Sequence, residues 1–187
     1  MSAVPYTVER RPDTGVNNVQ LGIWLFLASE VMLFGGLFSA YFMLRAGAPE
    51  AWRPLSSHLW SALANTLLLA AATATLKTGT ATVSGLRLRV AASGGFAIAF
   101  CVSKLSEYAS FIGAGLGPAA STQMATYYLL TGVHVFHVLG GLVANLWIAW
   151  TAGDERSVVR NRVEATTLYW LFVDMVWLLI AVLLYVV

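Results

Sequence analysis

The chain has 187 residues, of which 58% are apolar and 11% charged, with a formal net charge of +2 and a mean hydropathy of +0.72. Soluble domains carry about 25% charged residues, so this chain lacks the charge to coat a water-facing surface and reads as a membrane protein. Its small charge, spread over short loops, excludes a nucleic-acid-binding stripe, and its one cysteine, Cys101, excludes an internal disulfide or a cysteine-based metal cluster.

The first 20 residues, MSAVPYTVERRPDTGVNNVQ, form a polar tail without the apolar region of a signal peptide. The tail is expected to lie on the membrane surface or on a partner. Residues 21–187 then form one transmembrane domain. A membrane-crossing helix needs about 20 mostly apolar residues, and five stretches qualify: 21–44, 59–77, 88–111, 123–151 and 165–187. The fold class is therefore all-α, a bundle of five transmembrane helices.

The first span contains WLFLASEVMLFGG, in which Glu30 stands alone as a charge. At 1.5 Å per residue it lies about 14 Å into the span, near the midplane, where an ionised carboxylate costs roughly 3 kcal/mol on insertion scales. A turn-rich loop over 45–58 leads to the second span, and a Thr/Gly/Ser stretch over 78–87 leads to the third. The third span carries Lys104 and Glu107 in CVSKLSEYAS, at the i,i+3 spacing that lets them pair on one helix face. After the glycine-rich 112–122 comes YYLLTGVHVFHVLGG, with His134 and His137 three apart near the middle of the fourth span. The charged stretch AGDERSVVRNRVE precedes the fifth span, whose YWLFVDMVWLL holds Asp174 at nearly the depth of Glu30.

Arg10, Arg11, Lys77, Arg87, Arg89, Arg156, Arg160 and Arg162 fall on the side of the N-terminus, and only Arg45 and Arg53 on the other. The positive-inside rule therefore predicts the N-terminus inside and the C-terminus outside. Trp24, Trp147, Trp150 and Trp170 are expected in the inner aromatic belt, and Tyr41, Trp52, Trp60, Tyr127, Tyr128 and Tyr185 in the outer one.

The fourth span runs antiparallel to the first and fifth, so Glu30, His137 and Asp174 are expected to face the interior and share hydrogen bonds or protons. Glu30 reads either as a structural or lipid-contacting carboxyl or as a proton relay. The histidines read as interhelical hydrogen-bonding groups or as part of a metal or haem site. Such a site would need further ligands, and the third histidine, His58, is in the outer loop. Lys104 and Glu107 read as a self-contained ion pair or as a site. The small residues Gly35, Gly36 and Ala40, and Gly140, Gly141 and Ala144, suit close helix packing within the chain or against another subunit. No phosphate loop, dinucleotide fingerprint, nucleophile elbow, zinc signature or CxxCH pattern occurs. The expectation is a chain with no catalytic residue and no metal or other cofactor of its own.

The segments LGIWLFLASEVMLFGGLFSAYF, KLSEY, YYLLTGVHVFHVLGGLVANLW and YWLFVDMVWLL resemble, in order and spacing, the subunit III family of cytochrome c and quinol oxidases. The resemblance covers four of the five spans. It implies a subunit of a haem–copper oxidase that packs on subunit I among other oxidase subunits, holds phospholipids in a groove and supports proton uptake, with haems and copper in the partner chains. It matches Glu30 to the glutamate of the S-E-V motif, His134 and His137 to the paired histidines, Glu107 to the E-Y glutamate and Asp174 to the final-helix aspartate. It gives none of them a redox role. The mitochondrial type has seven helices; a short bacterial type without the first two fits this chain, in the cytoplasmic membrane. A neighbouring subunit would then have to supply the missing wall of the lipid cleft. Membership of a respiratory supercomplex stays open. The alternatives are an accessory subunit of nitric oxide reductase and a stand-alone proton-coupled transporter.

Overall fold

A computed structural model describes residues 9, 11–77, 82–153 and 156–187. Most of the N-terminal tail (1–8 and 10, including Arg10) and parts of two loops (78–81 and 154–155) therefore lie outside the described residues. The five expected spans are five helices: α1 (Asn18–Gly47), α2 (Leu59–Lys77), α3 (Val83–Gly113), α4 (Thr122–Trp150) and α5 (Arg156–Ala181). A π-helical turn, Val182–Val186, continues α5. All five are long and apolar enough to cross a membrane, and there is no strand among the described residues.

Three of the helices, α1, α3 and α5, outrun the apolar stretches that announced them, because a helix need not end where lipid ends. Asn17 caps α1 by accepting from the Gln20 amide, and the Gln20 side chain accepts from the Asn17 amide, a reciprocal capping box. That box starts α1 before its first apolar residue. Thr82 and Ser121 cap α3 and α4 in the same position. The largest difference from expectation is in the charged stretch 152–164, of which Arg156–Glu164 forms the first turns of α5. Arg160 and Glu164, one turn apart, support that helix as an exposed i,i+4 pair at 3.8 Å. Helix α3 stops where Gly115 adopts φ +77°. There the Leu116 amide reaches the Phe111 carbonyl and the Gly115 amide reaches that of Ile112, the paired bonds of a Schellman cap.

Helices α2, α3, α4 and α5 close into a ring, each packed on the next and α2 on α5. Helix α1 lies outside it, against α5 and, less extensively, α4. Its buried residues, Leu27, Phe34 and Tyr41, recur every seven positions as a seam, with Ile23, Leu37 and Phe38 half-buried beside them. Only 11% of its apolar window is buried, against 33–39% in the other four.

The belt expectation holds in part. Trp24, Trp60, Trp147 and Trp150 are exposed, whereas Tyr41, Trp52, Tyr127, Trp170 and Tyr185 are core residues. The small residues divide likewise. A Cβ on Gly35 or Gly36 would meet nothing within 4 Å, so neither packs against the chain's own bundle. On Gly141 it would come within 2.6 Å of the Trp170 ring, and on Gly140 within 3.0 Å of the Tyr169 hydroxyl. The α4 glycines therefore build the bundle.

Candidate functional site

Three polar constellations lie within the membrane-spanning region. The first joins α1 to α4. Glu30 follows Leu27 by three residues and precedes Phe34 by four, so it edges the α1 seam and meets His137, with Glu30 Oε2 2.8 Å from His137 Nε2. His137 Nδ1 is 2.8 Å from the Val133 carbonyl. A carbonyl only accepts, so Nδ1 carries hydrogen and donates. Nε2 and the carboxyl therefore hold one proton between them, as imidazole with carboxylic acid or as imidazolium with carboxylate. The pair is not sealed in the interior as expected: the side chains are 16% and 14% exposed, at the margin where α1 leaves the ring. Tyr169 of α5 donates to the His137 carbonyl at 2.7 Å, and the Phe34 ring lies 4.9 Å from the imidazole.

Beside this pair a groove of about 460 Å³ runs between α1, α4 and α5. Its walls include Ile23, Phe26, Gly140, Ala144 and Tyr169, and Arg162 marks one end with its guanidinium 4.6 Å from the Trp147 ring centroid.

The second constellation is buried at the other end of the ring. Lys104 Nζ donates to Glu107 Oε1 at 3.0 Å and to the hydroxyls of Tyr127 and Tyr185, each at 2.9 Å. Both tyrosines donate to the same Oε1, at 2.6 and 2.5 Å, and Ser61 donates to Oε2 at 3.0 Å. All three ammonium donors are used and both carboxylate oxygens are satisfied, the condition for keeping an ion pair out of water. The expected i,i+3 pair is present, but it is not self-contained: α2, α4 and the end of α5 each supply a partner.

The third constellation gathers around His134. His134 is fully buried, and its Nε2 lies 3.1 Å from the Val173 carbonyl of α5. Phe100 and Trp177 flank the ring at 5.5 and 5.3 Å. Residues three apart on a helix differ by about 60° in direction, so His134 faces α5 and α3 while His137 faces α1. Asp174 joins neither histidine. It neighbours Thr73 of α2, and its Oδ1 and the Thr73 Oγ1 are buried without a hydrogen-bond partner. The structure thus brings together Glu30 with His137 and Lys104 with Glu107, and leaves His134 and Asp174 apart. Sequence reasoning missed Tyr127 and Tyr185, and also the link in which Trp170 donates to Asn145 at 3.2 Å and Asn145 to Ser93 at 3.0 Å.

The fold and these constellations define a multi-pass membrane protein in which Glu30 pairs with His137 across two helices and Lys104 with Glu107 within one. The family sequence model for cytochrome c oxidase subunit III matches residues 11–187. A "Probable cytochrome c oxidase subunit 3" of Mycobacterium bovis is 30% identical over 178 residues, spanning 90% of this chain and 88% of the relative. The "Cytochrome c oxidase subunit 3" of Thermostichus vulcanus is 30% identical over 176 residues, 89% of this chain and 86% of the relative. A "Heme-copper oxidase subunit I+III" of Aeropyrum pernix is 33% identical over 186 residues, which span 91% of this chain and 23% of that longer protein. The chain belongs to the cytochrome c oxidase subunit III family, and so is a subunit III of a haem–copper oxidase.

Proposed function

We propose that this chain is a non-catalytic subunit that packs on oxidase subunit I, binds phospholipid beside α1 and supports proton uptake during oxygen reduction. The observation that carries this reading is the Glu30–His137 pair, one helical turn from Phe26 and Gly140 in the wall of the apolar groove. It holds an exchangeable proton next to a surface shaped for acyl chains, with Arg162 at one end for a phosphate. Subunit I is the favoured neighbour because the Aeropyrum pernix relative is named for both subunits, which fits two chains that pack together. The exposed side of α1, with Leu25, Met32 and Met43, is a surface such a neighbour can cover. The haems and copper belong to the partner chains, this chain contributes phospholipid contacts, and its N-terminus faces the cytoplasm of a bacterial cell.

Tagged chain extracted in mild detergent is expected to carry a many-helix partner with haem absorption, read by a reduced-minus-oxidised spectrum and mass spectrometry. A nitric oxide reductase subunit in its place would overturn the oxidase assignment, and a colourless, partnerless chain would overturn the packing. Glu30→Ala in that complex removes the partner of His137 Nε2, at a cost of about 1–3 kcal/mol. The expected result is an unchanged haem–copper spectrum, less bound phospholipid and activity that decays faster with turnover. Full lipid content and sustained turnover in the variant would sink the role given to Glu30.

A further inference from the structure

A second cavity, of about 750 Å³, opens at the end of the ring where α2 stops and α3 and α5 begin. It is separate from the α1–α4 groove. Among its lining residues are Lys77, Arg89, Arg156 and Arg160, with one acid, Glu164. Among the described lining residues, four cations stand against one anion. Arg89 donates to the Thr75 and Leu76 carbonyls that end α2, which fixes one positive group in the wall. Arg160 is 73% exposed and Glu164 is 3.8 Å away, a weak surface pairing that an incoming anion can displace. Lys77 and Arg156 are exposed at the rim.

Along α5 the lining runs from Arg156 and Arg160 on its first turns, through Glu164 and Thr167, to Leu168, with Val159 and Val163 between them. From Arg156 to Leu168 is twelve residues, about 18 Å along the helix axis. Leu76 and Leu86 from α2 and α3 face the same space. A cationic mouth above an apolar wall matches a molecule with an anionic head and a hydrocarbon tail. A soluble anion would leave the apolar part unused, and a zwitterionic lipid would leave the charge uncompensated. Basic pockets between transmembrane helices are a recurrent setting for anionic headgroups.

We propose that this cavity binds an acidic phospholipid, its phosphoryl group held by Lys77, Arg156 and Arg160 and one acyl chain laid along Leu86, Val163 and Leu168. The site rests on the cavity alone and does not depend on the oxidase assignment or on which leaflet it faces.

The test uses full-length chain extracted with the subunits it carries and reconstituted in nanodiscs of phosphatidylglycerol or of phosphatidylcholine. Lipid retained after transfer to detergent is counted by native mass spectrometry. Phosphatidylglycerol is expected to be retained, and phosphatidylcholine to wash out. Lys77→Gln with Arg160→Gln is expected to weaken retention about thirty-fold, from the loss of two surface charges; Arg53→Gln, at the opposite end, is expected to leave it unchanged. Thermal unfolding of that double variant and of wild type in the same detergent separates lost binding from lost folding. Equal retention of both lipids, no loss in the charge-neutralised variant, or displacement by millimolar inorganic phosphate would each overturn the proposal, the last by showing a free-anion site.

Discussion

Lys104→Ala is expected to destabilise the bundle by roughly 3–5 kcal/mol, the range for removing one partner of a buried ion pair. With the ammonium gone, Glu107 keeps its hydrogen bonds from Tyr127, Tyr185 and Ser61 but has no counter-charge in a place where the pair's side chains are 0% and 3% exposed. The double variant Lys104→Met with Glu107→Met is expected to recover much of the loss, because it leaves no stranded charge. Unfolding of purified subunit in detergent, followed by helical circular dichroism, measures both, and a double-mutant cycle isolates the coupling. Two single variants as stable as wild type would show that the tyrosines alone satisfy either charge.

Gly141→Ala is expected to be the costliest single-carbon addition among the glycines Gly35, Gly36, Gly140 and Gly141. Three atoms of the Trp170 ring lie at 2.6, 2.9 and 3.0 Å from the position of the added Cβ, and Trp170 has nowhere to retreat. It is fully buried and held by its bond to Asn145. Overpacking of this kind costs roughly 1–3 kcal/mol. Gly35→Ala, on the face of α1 turned from the bundle, is expected to leave the isolated subunit's stability unchanged within about 0.5 kcal/mol. Thermal unfolding of the two variants side by side checks the contrast; equal shifts would mean that the glycines are interchangeable.

What could be read in advance, and what could not, follows from the solvent. The five spans were legible because water and lipid differ so strongly that a run of apolar residues is unmistakable. Glu30 with His137 and Lys104 with Glu107 were legible because charges at membrane depth are few and each needs a partner at its own height. The peripheral position of α1 was not legible. In water a helix shows its buried face by contrast with a polar one, but here lipid and protein core are both apolar and the contrast vanishes. Tyr127 and Tyr185 were assigned to the belt for the same reason: nothing local separates a tyrosine at the interface from one donating to a carboxylate 78 residues away. Asp174 meets neither Glu30 nor a histidine and neighbours Thr73 instead, because depth fixes position along α5 and says nothing of direction around it. The early start of α5 escaped because hydropathy records where lipid begins, whereas Arg156–Glu164 forms helix beyond it.

The narrow seam of α1 makes the molecule unequal in stiffness. At one end α1 is lashed to the chain's last turn, where Tyr41 donates to the Leu183 carbonyl at 2.6 Å and Arg45 to the Val187 carbonyl at 2.7 Å. Toward its other end it rests on Ile23, Phe26 and Leu27, with the Glu30–His137 bond partway along. It is a door hung at one edge and latched near the middle, set against a ring whose four walls brace one another. Whatever presses into the gap between α1 and α4 works against that latch.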